Sequence, residues 1–228
     1  MKQENITYRF TTPVYSGNIL YVNVISNYAC VNDCAFCSRP RLKSDFGKEN
    51  IYEKKAQKSL YLSKSPAEKK IISEIEKNLR KDDEEIAFIG LGEPLIYFDK
   101  IIKVIKEIKK TYKIKVRIDT NGLVRCKKKN AAKLLKASGL DEIRISLNAI
   151  SEKDYTTLCR PKYKSAFNNL ILFIKECKEQ KIDTYVSFVT GFNSSKVSTL
   201  EKEKYFDFAQ SLGLDEKHVV IREYVPTT

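Results

Sequence analysis

Six apolar segments with strand character recur along this chain of 228 residues, with helical periodicity in the segments between them. The strands are spaced too widely for hairpins, so the alternation predicts βα units and a parallel sheet. Because such crossovers are right-handed, two arrangements fit, an open doubly wound sheet or an incomplete (β/α)6 barrel. The predicted strands cover residues 19–25, 86–89, 115–119, 142–146, 182–189 and 219–224.

Helix boundary signals accompany this pattern. The sequence Ser65-Pro66-Ala67-Glu68 has the form of a capping box with proline at the first helical position, and it predicts the start of the first helix. A second capping box at residues 198–201 predicts the start of the last helix, which stops near Gly213. The other predicted helices cover residues 99–110, 130–138 with Gly139 directly behind, and 165–179.

Residues 1–228 are expected to form a single domain, with a short N-terminal extension at residues 1–18. The segment 38–63 is far longer than a usual βα loop, and it is basic, with aromatic residues at Phe46, Tyr52 and Tyr61. Loops of this length are usually functional or disordered.

Composition and charge indicate where the protein is located and what kinds of partner it could bind. The polar N-terminus and the lack of an apolar run of about 18 residues predict a cytoplasmic protein without a membrane span. The formal net charge of +13 fits a nucleic-acid surface or a dock for an acidic protein. Lysines on the polar faces of helices also explain much of this charge, and we favour that interpretation.

Three cysteines, Cys30, Cys34 and Cys37, follow the first predicted strand, at the edge where α/β proteins place active sites. Thiolates within eight residues can surround one 4Fe-4S cluster and leave its fourth iron without a nearby cysteine. Six cysteines in 228 positions would produce this spacing by chance about 0.004 times. The spacing therefore indicates a metal site at these three residues.

Two other kinds of metal site could use these cysteines. A zinc site needs a fourth Cys or His at close range, and His218, the only histidine, is remote in sequence. An electron-transfer cluster would need a fourth cysteine, which would have to be Cys126, Cys159 or Cys177. We favour an open iron over both.

The cysteine motif, with Phe36 before its last cysteine, resembles that of the radical S-adenosylmethionine (SAM) superfamily. Gly90 and the stretch Gly92-Glu93-Pro94 follow the second predicted strand and resemble the family segment that holds the amino group of SAM. Glycines let backbone carbonyls approach an ammonium group, and a carboxylate adds charge complementarity. The resemblance implies a 4Fe-4S cluster and SAM as cofactors.

Polar residues at later strand ends extend the resemblance. Asn121 belongs to a Thr-Asn-Gly stretch seen in many members, and Arg144, Ser146 and Asn148 end the fourth predicted strand. In the family, residues at this edge contact the ribose and the carboxylate of SAM, so these four are candidate cofactor-binding residues. Strand capping is an equally good explanation for Ser146 and Asn148. Strand alternation predicts Arg144 on the same face as both.

More narrowly, residues 146–149 and 155–161, together with the early motifs, resemble the radical SAM proteins associated with TatD nucleases. The superfamily resemblance covers residues 19–225 and favours the incomplete (β/α)6 TIM-like barrel with parallel strands. Arg160 is a candidate to bind a carboxylate or phosphate, and Cys159 to donate a hydrogen atom, which makes both candidate catalytic residues. A buried structural thiol is the alternative for Cys159.

The resemblance implies reductive cleavage of SAM to a 5′-deoxyadenosyl radical, which abstracts hydrogen from a substrate that the sequence does not specify. It also implies an electron donor, and flavodoxins and ferredoxins are acidic, which suits the basic chain. Two alternatives stay open. One is a nucleotide- or tRNA-modifying relative, similar to 7-carboxy-7-deazaguanine synthase, with nucleic acid as a partner. The other is a non-enzymatic iron-sulfur or zinc module.

Overall fold

The computed structural model describes residues 5–10, 17–37, 60–191 and 199–224. Its strands are β1 (Thr7–Tyr8), β2 (Ile19–Val22), β3 (Glu85–Phe88), β4 (Lys115–Thr120), β5 (Glu142–Ser146), β6 (Asp183–Thr190) and β7 (Val219–Glu223). Its α-helices are α1 (Glu68–Asn78), α2 (Phe98–Thr111), α3 (Ala131–Ser138), α4 (Glu152–Cys159), α5 (Ala166–Glu179) and α6 (Lys202–Ser211). Short 3-10 helices include Pro94–Tyr97 and Leu123–Cys126.

The chain divides into two compact units. The first comprises residues 1–30, 38–118 and 138–141, and the second comprises residues 31–37, 119–137 and 142–228. In the first unit β2, β3 and β4 pair in parallel, and β1 pairs antiparallel with β2. In the second unit β5, β6 and β7 pair in parallel. All six predicted strands are therefore confirmed, whereas β1, inside the predicted N-terminal extension, was not predicted.

Apolar stripes on the helices build the core of each unit. Ile101, Val104, Ile105 and Ile108 of α2 are at most 2% exposed, and α2 packs against α1. In the second unit, Leu170, Phe173 and Ile174 of α5 are completely buried. Each large apolar side chain buried in this way contributes about 1.5–3 kcal/mol. These stripes follow the 3.6-residue period that predicted the helices.

The predicted start of the first helix was wrong. Helix α1 begins at Glu68, and its N-cap residue Ala67 makes no side-chain capping bond. The Lys100 ammonium instead donates to the Ser65 hydroxyl oxygen at 2.7 Å and to the Pro66 carbonyl at 2.6 Å. Ser65 lies two residues before the N-cap position, so it does not cap the helix, and its hydroxyl oxygen accepts from this lysine.

Helix α4 was not predicted as a helix. Its N-cap Ser151 accepts a hydrogen bond from the backbone amide of Asp154, which is an ordinary start signal. Its eight residues are mostly polar, so their periodicity is weak.

Two predictions concern residues that the structure does not describe. Residues 38–59 of the predicted long loop lie outside the described ranges, and so does Ser198 of the second capping box. The helix after that box is present from Lys202. Among the described residues, no helix has both the length and the apolar character that crossing a membrane requires.

An ion pair in the first unit makes stability depend on pH. Arg9 Nη1 lies 2.6 Å from Asp83 Oδ1, and the Asp83 side chain is 1% exposed. Burial raises the pKa of Asp83, but hydrogen bonds from Arg9 and from the Arg80 amide lower it more, so the pKa falls below its usual 3.8. The carboxylate therefore stabilises the fold above about pH 4, and this contribution is lost as pH falls through the lowered pKa.

We expect Asp83→Asn to reduce the free energy of unfolding at pH 7 by about 2 kcal/mol, as for a lost hydrogen bond to a charged group. The difference from wild type should shrink as the pH falls below about 4. Urea unfolding at pH 7 and at a pH below about 4 measures this difference in the free energy of unfolding. Glu107→Gln, in an exposed pair with Lys110, is the control and should have almost no effect. Equal effects of the two variants would contradict the prediction.

Candidate active site

The loop after β3, residues 90–94, lies against the residue that precedes Cys30. Gly92 has φ +132°, a conformation that favours glycine, and a Cβ atom added there would lie 2.5 Å from the Ala29 carbonyl oxygen. The Glu93 amide donates to the same carbonyl at 2.8 Å. This close backbone approach therefore requires a glycine at position 92.

Gly90 is held beside a buried asparagine. A Cβ atom at Gly90 would lie 2.4 Å from Asn23 Oδ1. Asn23 is 1% exposed, its Oδ1 accepts from the Ile25 amide at 3.0 Å, and its Nδ2 donates to the Leu60 carbonyl at 2.7 Å. We did not predict a role for Asn23. The sequence feature that could have indicated such a role is the position of this polar residue inside the apolar run 19–25.

Glu93 begins the 3-10 helix Pro94–Tyr97. Its side chain is buried, and Oε1 accepts from the Leu95 amide at 2.9 Å, while Pro94 occupies the first helical turn. The carboxylate thus caps this helix. A contact of Glu93 or Pro94 with SAM stays a prediction.

The segment 31–37, here called the cysteine loop, carries two of the three motif cysteines. Cys34 and Cys37 are half-buried, and the Cys37 amide donates to the Cys34 carbonyl at 3.1 Å. Phe36 between them is also half-buried. Cys30, the last residue of the first unit before this loop, is half-buried as well. None of the three forms a disulfide.

Within the described ranges, no three Cys, His, Asp or Glu side chains are grouped so that they could hold a metal ion. The donor set nevertheless suits an iron-sulfur cluster, because three reduced thiols on eight consecutive residues provide the soft sulfur ligands that such clusters take. Assignment of Cys30, Cys34 and Cys37 as ligands stays a prediction.

The end of β4 forms a tight turn in which Asn121 takes part. Asn121 Oδ1 accepts from the Leu123 amide, and Thr120 Oγ1 accepts from the Gly122 amide, both at 3.0 Å. Gly122 has φ +74°, and Asn121 is 9% exposed. The Asn121 side-chain oxygen therefore stabilises the turn, whether or not SAM binds beside it.

Arg144 and Ser146 occupy alternate positions of β5, so they lie on the same face. The Arg144 guanidinium donates to Glu142 and lies 5.5 Å from the centre of the Tyr185 ring. Strand β5 ends at Ser146, and the alternation therefore does not extend to Asn148. Asn148 has φ +62°, and its Nδ2 lies 3.7 Å from Cys159 Sγ.

The two candidate catalytic residues lie at the end of α4. Cys159 is completely buried, and Arg160, which follows the helix, has φ +45° and is exposed. Arg160 Nη1 lies 3.8 Å from Asp33 Oδ2, and both side chains are about half exposed. Burial favours a structural thiol at Cys159, while the catalytic role of both residues stays a prediction. Burial also raises the pKa of the Cys126 and Cys177 thiols, which keeps them protonated.

Comparison with known proteins gives a consistent family assignment. Residues 24–202 match the model of the radical SAM superfamily. A probable GTP 3′,8-cyclase of Metallosphaera sedula is 27% identical over 129 residues, which cover 57% of this chain and 38% of the relative. A probable GTP 3′,8-cyclase of Saccharolobus islandicus is 27% identical over 150 residues, or 66% of this chain and 44% of the relative. The chain thus spans about two fifths of the length of these relatives.

Solved structures show the fold. Streptococcus suis SuiB bound to S-adenosylmethionine superposes with a TM-score of 0.61 at 20% identity, over 92% of this chain and 41% of SuiB. HydG, a maturase of the [FeFe]-hydrogenase, gives a TM-score of 0.60 at 16% identity, over 91% of this chain and 43% of HydG. These likenesses confirm the predicted α/β fold with parallel strands. The narrower resemblance to TatD-associated proteins stays a prediction.

Proposed function

This chain belongs to the radical SAM superfamily, whose members are enzymes that use a 4Fe-4S cluster and SAM, and we propose that Cys30, Cys34 and Cys37 ligate that cluster. The observation that carries the proposal is the set of three half-buried, reduced cysteines inside the residues that match the family. When bound and reduced, the cluster would supply the electron that cleaves SAM to methionine and a 5′-deoxyadenosyl radical.

The chain's own residues would bind and orient SAM. Gly90 and Gly92 have no Cβ atoms, so backbone carbonyls of this loop can approach an ammonium group. The buried Glu93 carboxylate belongs to the same loop and would add charge complementarity to that ammonium group. On the second unit, Arg144 and Ser146 present polar groups on one strand face, which suits a carboxylate and ribose hydroxyls. Asn121 and Asn148 are further candidates beside these strand ends.

Metal analysis tests the cluster assignment. We expect anaerobic reconstitution to load about four irons and four sulfides per chain. We also expect SAM to change the electron paramagnetic resonance (EPR) spectrum of the reduced protein, because an iron without a cysteine ligand is open to it. One zinc per chain would support the binding-module alternative instead. If the protein binds iron but its EPR spectrum does not change when SAM is added, it is an electron carrier.

A nucleotide substrate is the second candidate, and the names of two relatives favour it. For this candidate, Arg144 and the Tyr185 ring on adjacent strands would provide a cation and an aromatic surface for a phosphorylated purine, and Arg144 would then not bind the SAM carboxylate. Equilibrium dialysis with GTP, and filter binding with tRNA at low salt, compare a free nucleotide with a nucleic acid. If neither binds, GTP and tRNA are both excluded as substrates.

The superfamily generally needs a reductant, and we propose an acidic flavodoxin or ferredoxin as its source. The formal net charge of +13 provides the complementary sign. Reduction of the cluster by such a donor should slow as salt is added, because exposed charges are screened. A rate that is independent of salt would contradict this choice of donor.

A further inference from the structure

The cysteine loop pairs with the end of helix α4 through three backbone hydrogen bonds. The Asp33 amide donates to the Cys159 carbonyl at 3.0 Å, and the Ala35 amide donates to the Leu158 carbonyl at 2.8 Å. The Lys162 amide donates back to the Val31 carbonyl at 2.9 Å. All of these residues belong to the second unit.

The direction of these bonds has a physical reason. The last carbonyls of an α-helix have no partner within the helix, and they carry the negative end of its dipole. In α4, two of them are satisfied by amides on either side of Cys34. The backbone position of Cys34 is therefore fixed on both sides by a regular element, although Cys34 itself lies in a loop.

Side chains strengthen the same contact. Asn32 Nδ2 donates to the Tyr155 hydroxyl oxygen at 3.3 Å, and both residues are at most 2% exposed. Burial raises the pKa of Tyr155, so its hydroxyl stays protonated. Arg160 and Asp33 add the longer, half-exposed ion pair.

Arg160 adopts a backbone conformation that favours glycine. Its φ of +45° and ψ of +58° place it in the left-handed region, which costs a non-glycine residue about 1–2 kcal/mol. The resulting turn reverses the chain after Cys159, so that Lys162 reaches Val31. An arginine held in this conformation points to a use for its side chain beyond the turn.

We propose that Tyr155 and Arg160 are positioning residues that hold the cysteine loop for the iron-sulfur cluster. The inference rests on the proposed function and extends it to residues outside the cysteine motif. Because the Asp33 and Ala35 amides donate to carbonyls of α4, they do not donate to the cluster sulfurs. Hydrogen bonds to cluster sulfurs raise the reduction potential, so loosening the contact should make the potential less negative.

Two variants test this in the reconstituted full chain. Tyr155→Phe removes the acceptor for Asn32 and keeps the ring, and Arg160→Gly keeps the turn and removes the ion pair. We expect iron release to an anaerobic chelator to be about tenfold faster in Tyr155→Phe, as for lost outer-shell partners. In Arg160→Gly the acceleration should be smaller, because the lost ion pair is long and half exposed. We also expect a less negative midpoint potential, which a general loss of stability would not produce.

Thr157→Ala is the matched control on α4, because the Thr157 hydroxyl donates to the Lys153 carbonyl within the helix. It should match wild type in both measurements. If Tyr155→Phe and Arg160→Gly also match wild type while the wild type carries its cluster, the positioning role is overturned. A wild-type protein that takes up no iron would overturn the proposed function and this inference together.

Discussion

Cys34→Ala is expected to abolish the iron-sulfur chromophore and to reduce 5′-deoxyadenosine formation by more than about 100-fold. Loss of an outer-shell partner alone reduces metal affinity or activity by up to about 100-fold, and loss of a ligand should have a larger effect. Cys34 is the middle cysteine of the motif, and the amides of Asp33 and Ala35 fix the backbone on both sides of it. A missing thiolate there leaves two candidate ligands, which is too few for a three-cysteine cluster. Absorbance, iron content and product quantification measure the effect after identical reconstitution.

Cys126→Ala is the matched control. Cys126 is half-buried, as Cys34 is, and it lies outside the cysteine motif. The variant should retain wild-type iron content and product yield. If Cys126→Ala loses the cluster as completely as Cys34→Ala, Cys126 is a ligand, and the four-cysteine alternative is correct.

Gly92→Ala is expected to have the second-largest effect, on both stability and SAM binding. The new Cβ would lie 2.5 Å from the Ala29 carbonyl oxygen and 2.8 Å from Ile25 Cγ2, at φ +132°. Backbone strain and overpacking together should lower the free energy of unfolding by about 3 kcal/mol. Displacement of the loop beside Cys30 should weaken SAM binding at least about tenfold, or 1.4 kcal/mol.

Gly213→Ala separates this effect from the general cost of replacing a glycine. Gly213 also has positive φ, +76°, but a Cβ there would meet the Nζ atom of Lys178, the flexible end of a side chain. We expect a loss of about 1 kcal/mol and unchanged SAM affinity. Urea unfolding and isothermal titration compare the two variants. Equal SAM affinities in both would contradict a role for the Gly92 loop in binding SAM.

Much of the fold could be predicted because buried parallel strands produce apolar runs. Residues 142–146 were predicted to form a strand and do so. Ser65 misled the prediction because a capping residue and an acceptor for a distant lysine look the same in sequence. Helix α4 was missed because few of its eight residues are apolar.

The candidate site was predictable where it depends on local spacing, as in the three cysteines and the glycines at positions 90 and 92. The contact between the cysteine loop and α4 was not, because its backbone hydrogen bonds join residues more than 120 positions apart. Such bonds leave no pattern in the side chains. The role of Asn23 was not predictable either, because the sequence shows only a polar residue within an apolar run and not which groups it contacts.

The most direct measurement is the formation of 5′-deoxyadenosine from SAM by the anaerobically reconstituted and chemically reduced wild-type chain. We expect this product to accumulate with wild type and to be absent with Cys34→Ala. A wild-type chain that carries four irons, is reduced, and still forms no 5′-deoxyadenosine with SAM would contradict this expectation.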